Sequence, residues 1–214
     1  SQLESDLERT QVAIRKADPR YSALTRPQPL KLKEMQAQLD ENTLQLEYGL
    51  GEGRSYLWAV TRDSLTSYEL PEGEKIKKSA VQVYNLLTAR NSRRTGETLA
   101  QYRARVADAE EQLLAASREL SRMILGPVSD QLGEKRLVII PDGALQYVPF
   151  AMLPEPRPLD FGLRSSSNSP GQLAADTKDQ RLKTKDQPLI VKHEIISLPS
   201  ASALAVQRAE LADR

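Results

Sequence analysis

Few side chains in this chain could do chemistry, because it has a single histidine, His193, and no cysteine among its 214 residues. Without cysteine there is no thiol nucleophile, no thiolate ligand for a metal and no disulfide. His193 lies in the stretch "VKHEII", where alternation predicts a strand. We interpret His193 as an edge or surface histidine, and we predict no catalytic, cofactor-binding or metal-binding residue in this chain.

Two serines and one aspartate are the other candidates for chemistry. Ser200 or Ser202 could act as the nucleophile of an acyl-transfer enzyme, but the chain lacks a G-x-S-x-G turn and a usable base. Asp142 could bind a substrate or a metal, yet no second carboxylate or histidine lies near it in the sequence. We therefore favour a structural role for Asp142 and rank acyl transfer as a distant third function.

The glycine-rich stretch "GLGEGRS", residues 49–55, superficially resembles a phosphate-binding loop. Such a loop needs the N-terminus of a helix after it, whose free N–H groups bind the phosphate. Here the residues that follow have the two-residue period of a strand. The stretch therefore predicts a hairpin turn.

The most distinctive local pattern is "LVIIPDGALQYVPFAMLP", residues 137–154. Its continuous run of large aliphatic residues predicts a strand buried on both faces. Pro141 ends this strand, and Asp142 with Gly143 supplies a turn, because Asp bonds its own backbone and Gly accepts a positive φ. Apolar side chains that follow are expected to cover the sheet, namely Leu145, Val148, Phe150 and Leu153.

The elements that precede this stretch are a meander and two helices. Period-two patterns in residues 43–70, joined by "GEG" and "RDS", predict three antiparallel strands. Helical spacing then predicts two helices, the second capped by Thr95 or Thr98 and ended by Gly126–Pro127. The apolar stripes of these helices are Ile76, Ala80, Val83 and Leu87, and then Tyr102, Val106, Ala109, Leu113 and Leu120.

The elements that follow it complete a parallel sheet. Residues 189–198 predict a second strand, and "SASALAVQRAELADR" predicts a helix capped by Ser200 or Ser202. Strand, crossover, strand and helix in this order indicate an α/β fold with a parallel sheet, which the meander could turn into a mixed one. Between the two strands, residues 154–187 have few large apolar side chains and predict a mobile loop.

The charge balance argues against two classes of partner. Thirty basic and 29 acidic residues leave a net charge of +1, so the chain has no field that would attract nucleic acid or an anionic membrane. No apolar run is long enough to span a bilayer, and the start lacks a signal peptide. We expect a cytoplasmic protein without cofactors. Because the sequence begins without Met, we expect a piece excised from a longer protein.

Two motifs resemble the opening of the CHAT domain, the caspase-like and separase-related peptidase domain found after tetratricopeptide repeats in bacteria. The first is P-D-G-x-L-x-x-x-P-F, with Pro141, Asp142, Gly143, Pro149 and Phe150. The second is the "SLPSAS" stretch, with Pro199 and Ser200. The upstream segment over 43–70 is similar to the link between repeats and domain, so the resemblance spans roughly residues 20–214.

The resemblance implies a cysteine endopeptidase fold, in which a His and a Cys stand at the carboxyl ends of later strands. In the family these residues come after the "LPSAS" helix, in which this chain ends, so no catalytic residue is carried over. The resemblance divides the chain into a helical adaptor (1–40), the meander with two helices (41–132) and the first half of a caspase-like domain (133–214).

Two functions remain open at this point. The first is the N-terminal part of a bacterial CHAT-type cysteine endopeptidase, inactive alone because the His/Cys dyad is missing. The second is a non-enzymatic, peptidase-like scaffold or interaction module. In both, we expect the exposed edge of the parallel strands to pair with the missing half of the domain or with another copy, and we expect a protein substrate or partner.

Overall fold

The computed structural model describes residues 30–91, 93–156 and 187–212, together with six helical residues between 2 and 13. Most of the expected mobile loop over 154–187 and most of the adaptor before residue 30 lie outside the described residues. The described chain is mixed α/β, built on one sheet, which confirms the predicted fold class.

Five strands and five α-helices form the described fold. The strands are β1 (Thr43–Gly49), β2 (Ser55–Val60), β3 (Leu65–Leu70), β4 (Arg136–Ile140) and β5 (Ile195–Ser197). The helices are α1 (Leu32–Gln36), α2 (Gly73–Leu87), α3 (Leu99–Ile124), α4 (Ser129–Leu132) and α5 (Ala201–Ala212). Short 3-10 turns cover Gly126–Val128, Gly143–Tyr147, Phe150–Met152 and Leu189–Val191.

The sheet has the strand order β3-β2-β1-β4-β5. The first three strands are the predicted antiparallel meander, and the glycine-rich stretch between β1 and β2 is a hairpin turn, as expected. β1 also pairs in parallel with β4, from Thr43 opposite Arg136 to Glu47 opposite Ile140. β4 pairs in parallel with β5. The meander therefore extends the parallel strands edge to edge, and β4 has a neighbour on each side.

The second parallel strand is shorter than the sequence pattern predicted. We expected a strand over 189–198, but Leu189–Val191 forms a 3-10 turn, and only Ile195–Ser197 is extended. The N–H groups of Lys192 and His193 both donate to the carbonyl of Leu189, which closes this turn. A short apolar run such as "PLIV" does not distinguish a strand from a turn by periodicity, which accounts for the error.

One face of the sheet packs against α2 and α3. Ile76, Ala80 and Val83 of α2 are buried there as predicted, whereas Leu87 at the helix end is partly exposed. The buried side chains of α3 on this face are Ala116, Leu120 and Ile124. The strands contribute Leu44, Leu46, Tyr48, Leu57, Ala59, Leu137 and Ile139 to this main core. This core contains side chains from both sides of position 132, the predicted boundary between the meander with its two helices and the caspase-like half.

The opposite face packs against α1 and α5. Val138 and Ile140 of β4 lie on this face, and β4 is therefore buried on both faces, as its apolar run predicted. Leu204 of α5 and Leu39, just after α1, also belong to this cluster. Leu32 of α1 is exposed.

The long helix α3 begins and ends at the predicted signals. The Thr98 hydroxyl accepts a hydrogen bond from the N–H of Gln101, which is the expected N-cap. The helix ends at Ile124, before Gly126–Pro127. Since α3 spans 26 residues, only its second half reaches the main core, and its first half packs beside the end of α2.

A small antiparallel ladder closes the base of the segment over 154–187. Pro154 bridges Pro188, the N–H of Glu155 donates to Gln187, and the N–H of Leu189 donates to Leu153. The buried hydroxyl of Ser121 on α3 donates to the Pro154 carbonyl at 2.6 Å. This bond attaches the ladder to the helix. Among the described residues, no helix is both long and apolar enough to cross a membrane.

Two buried serines one turn apart on α3 give a matched test of this attachment. We expect Ser121→Ala to lower the free energy of unfolding by about 1–2 kcal/mol, because it leaves the Pro154 carbonyl without its donor. The control is Ser117→Ala, since the Ser117 hydroxyl is buried without a partner among the described residues, and its removal should be neutral or stabilising. Chemical denaturation of both variants measures the difference, and equal effects would contradict the role of Ser121.

Candidate functional site

The candidate site is the carboxyl edge of the three parallel strands β1, β4 and β5. In open α/β sheets, ligands bind at the carboxyl ends of the strands. The parallel registers bring three connecting segments to this edge: Leu50–Gly51 after β1, Pro141–Gly143 after β4, and Leu198–Ser200 after β5. The sequence motif residues Pro141, Asp142, Gly143, Pro199 and Ser200 therefore all lie at this edge.

Asp142 connects two of these segments. Its Oδ2 accepts a hydrogen bond from the N–H of Leu50 at 2.8 Å, and its carbonyl accepts one from Leu145. We expected the carboxylate to bond its own turn, but it makes no cap bond there and instead reaches a residue 92 positions earlier. Gly143 has a φ of +53°, which permits the sharp turn out of β4. The Asp142 carboxylate thus fixes the ends of β1 and β4 together.

Of the rest of the first motif, Phe150 lies beneath this edge in the main core, whereas Pro149 is exposed. Phe150 is buried, and its ring lies 5.6 Å from the ring of Tyr48 on β1. The Tyr48 hydroxyl donates to the carbonyl of Ile124 at the end of α3, and burial raises the pKa of this phenol far above its usual range. Pro149 precedes the 3-10 turn that carries Phe150. These contacts anchor the edge to the helical layer.

Ser200 is committed to the start of α5. Its Oγ accepts a hydrogen bond from the N–H of Ala203 at 3.3 Å, so it is the cap, as one of the two expected serines. A capping hydroxyl at this position stabilises the free N–H groups of the first turn. Ser200 thus has a structural partner at the carboxyl edge.

His193 lies at the opposite end of β5, and its expected exposure was wrong. Its side chain is only 3% exposed, and its Nδ1 lies 2.8 Å from the Lys135 carbonyl, just before β4. This contact favours the tautomer with the proton on Nδ1. The Nε2 atom has no hydrogen-bond partner among the described residues. His193 follows the 3-10 turn rather than lying on a strand, and that turn folds it under the sheet.

His193 and Ser200 cannot work together as a base and a nucleophile. His193 precedes β5 and contacts the amino end of β4, whereas Ser200 follows β5. Extended chain advances by about 3.3 Å per residue, so the length of β5 separates the two side chains. A general base must come within hydrogen-bond reach of the proton it removes. This geometry argues against acyl transfer by Ser200.

Two exposed tyrosines line one side of the carboxyl edge. Tyr147, at the end of the turn after β4, is 70% exposed, and Tyr84 of α2 is also exposed. Their rings meet edge to face with centroids 6.3 Å apart. Neither residue was singled out from the sequence, because their proximity depends on how α2 packs against the turn.

The charged groups of the sheet differ between its two ends. Near the carboxyl edge, burial raises the pKa of Glu47, and a hydrogen bond from Gln45 lowers it in part. At the amino end, Arg136 contacts Glu194 at 2.7 Å and Asp40 at 3.2 Å. The hydrogen bond from the Thr43 hydroxyl is the main cause that lowers the pKa of Asp40. The described residues contain no cluster of His, Asp and Glu that could hold a metal.

Comparison with known families finds one match. Residues 114–213 match the family model of the CHAT domain. The match begins within α3 and includes β4, β5 and α5, so the resemblance seen in the sequence is confirmed for this part of the chain. The segment over 43–70, which we also expected to resemble the family, lies outside the match. No curated protein matches the chain.

The bond between Asp142 and Leu50 can be tested by substitution. We expect Asp142→Ala to lower the free energy of unfolding by about 1.5–3 kcal/mol, because it removes a charge-assisted hydrogen bond between β1 and β4. Asp142→Asn keeps an acceptor and should lose less. Asp63→Ala, in the exposed turn between β2 and β3, is the control and should change stability by no more than about 0.5 kcal/mol. A similar loss in both alanine variants would contradict this role.

The raised pKa of Glu47 predicts a pH-dependent gain from its removal. The folded pKa lies above the ordinary 4.5, so the ionised side chain destabilises the fold at neutral pH, and this destabilisation disappears as the pH falls below 4.5. We expect Glu47→Gln to raise the melting temperature by about 1–3 °C near neutral pH and by less near pH 4. Glu52→Gln, in the exposed hairpin turn, should have no effect at either pH. A gain that is equal at both pH values would contradict the burial of Glu47.

Proposed function

We propose that this chain, which carries CHAT-domain sequence over residues 114–213, is part of a CHAT-type cysteine endopeptidase. In this proposal β4 and β5 begin the parallel sheet of the peptidase domain, and the catalytic His and Cys come from sequence that follows α5. The chain then supplies the scaffold of the active site and is inactive alone. We further propose a cytoplasmic bacterial protein that acts on a protein substrate.

The observation that carries this proposal is the outer edge of β5, which pairs with β4 alone among the described strands. Glu194 accepts a hydrogen bond from the N–H of Leu137, and Leu198 donates one to Ile139, so the intervening Ile196 faces β4. Because alternate residues of a strand point their backbone groups to opposite sides, Ile195 and Ser197 direct theirs away from β4. Ser197 is exposed as well. Another strand can therefore pair with this edge.

The turns at the carboxyl edge support the same assignment. Asp142 and Ser200 hold the chain directions after β4 and β5 through hydrogen bonds to backbone N–H groups. Side chains that carry such bonds are suited to position an edge rather than to react there. A dyad on further parallel strands would stand at this same edge, next to Ser200.

A non-enzymatic, peptidase-like scaffold or interaction module is the second candidate. The composition favours it, because the chain has no cysteine and its one histidine, His193, is buried at the amino end of the sheet. The exposed pair Tyr84 and Tyr147 would then serve protein binding at the carboxyl edge. The two candidates differ in whether the complete reading frame contains a reactive thiol.

We expect residues 1–214 alone to cleave no peptide and to bind no thiol-directed probe, since they contain no thiol. The test compares homogeneous 1–214 with the product of the complete reading frame that encodes it, using a peptide library and an alkyne-labelled iodoacetamide. Thiol-dependent cleavage by the complete product, lost when its reactive cysteine is replaced by alanine, would support the peptidase.

Two other outcomes decide against the peptidase proposal as stated. A complete product that folds but neither cleaves nor labels favours the scaffold. Cleavage by 1–214 alone, with its mass verified, would contradict the absence of a catalytic dyad from this chain.

A further inference from the structure

The far edge of the sheet is strand β3, which pairs with β2 alone among the described strands. The pairing runs over six residues without a bulge, from Leu65 opposite Val60 to Leu70 opposite Ser55. β3 is therefore a regular edge strand, twice as long as β5 on the other side of the sheet.

Three residues of β3 direct their backbone groups away from the sheet. The N–H of Thr61 donates to the carbonyl of Ser64, so these two opposite residues form a hydrogen-bonded pair of the hairpin. This pair determines which residues of β3 direct their backbone groups toward β2. Alternation then turns Thr66, Tyr68 and Leu70 toward β2, whereas Leu65, Ser67 and Glu69 face outward. The outward N–H and C=O groups have no backbone partner among the described residues.

This edge lacks the features with which soluble proteins block strand addition. Within Leu65–Leu70 there is no proline, no lysine and no bulge. Its single charge, Glu69, lies 3.7 Å from Arg54, just before β2. Leu65 is 46% exposed at the start of β3, and Tyr56 of β2, which lies opposite Glu69, is 38% exposed. A regular and partly apolar edge of this kind is suited to pair with another strand.

We propose that β3 pairs antiparallel with β3 of a second copy of this chain, with Ser67 opposite Ser67 on a two-fold axis. The two sheets then form one continuous sheet. Each of the three outward residues pairs with an outward residue of the other copy, which gives about six backbone hydrogen bonds. This inference is independent of the function proposed for the other edge.

The sequence of the edge is self-complementary in this register. Leu65 lies opposite Glu69 of the second copy, and small Ser67 side chains meet at the axis, so no like charges face each other. A shift by two residues in one direction sets Leu65 opposite Pro71, which has no N–H to donate. The opposite shift sets Glu69 opposite Asp63. Both alternatives are less favourable, and this selects the register centred on Ser67.

The two-fold position of Ser67 permits a charge-swap test on the intact chain. We expect unmodified 1–214 to sediment with twice the 23.9 kDa of the chain, and Ser67→Lys and Ser67→Glu to sediment as monomers, because each sets like charges directly opposite one another. An equimolar mixture of the two variants should restore the doubled mass, since Lys then faces Glu. Ser67→Thr is the matched control and should remain dimeric.

Unchanged circular dichroism of the variants shows that they fold, as expected for an exposed position. A monomeric unmodified chain at about 100 μM overturns the proposal, as does a dimer that both charged variants retain. Coverage of β3 by another part of this chain or by a different protein would give the first of these results. A dimer formed through β5 would give the second.

Discussion

The parallel pairing of β1 with β4 is the constraint on which the rest of the structure depends. β4 has apolar side chains on both faces, with Leu137 and Ile139 in the main core and Val138 and Ile140 in the smaller one. Burying each such side chain contributes about 1.5–3 kcal/mol, which is available only if both faces are covered and both edges are paired. β1 pairs with one edge of β4, although β1 lies outside the CHAT match. The connection between these strands contains the meander's other strands, α2 and α3, and so it places the helices that cover the main core.

Because three strands run in parallel, the two ends of the sheet have different chemistry. The amino end carries the ion pairs of Arg136 with Glu194 and Asp40, and the buried ring of His193. The carboxyl end carries the hydrogen bonds of Asp142 and Ser200 to backbone N–H groups. The only imidazole is thus at the end of the sheet where an α/β fold does not bind its ligand. The polar side chains at the carboxyl end hold turns in place, and this separation supports the proposal that the chain is a framework for a site.

Local patterns in the sequence predicted the elements whose structure is decided locally. The apolar run of β4, the period-two meander and the stripe of α2 gave strands and helices at the observed places, because burial on a fixed face imposes its period on the sequence. The wrong predictions concern residues whose hydrogen-bond partners are far away in the sequence. His193 was expected on a strand at the surface, but the Leu189 and Lys135 carbonyls hold it in a buried turn. Asp142 was expected to bond its own turn, and its partner is Leu50, just after β1. No periodicity records such contacts, since each involves a single atom far away in the chain.

The two outer strands of the described sheet, β5 and β3, differ in the kind of strand that each can accept. β5 is followed by α5, which returns over the face that holds Val138 and Leu204. In the function proposed above, this helix is the middle of a right-handed crossover, whose next strand lies in parallel beside β5 and belongs to the same polypeptide. Short links join β3 to β2 before it and to α2 after it, so no crossover in the described chain leads to the outer side of β3. An antiparallel partner needs no crossover, and it can therefore come from a separate molecule. Under the two proposals, the sheet therefore grows within the chain on the β5 side and between chains on the β3 side.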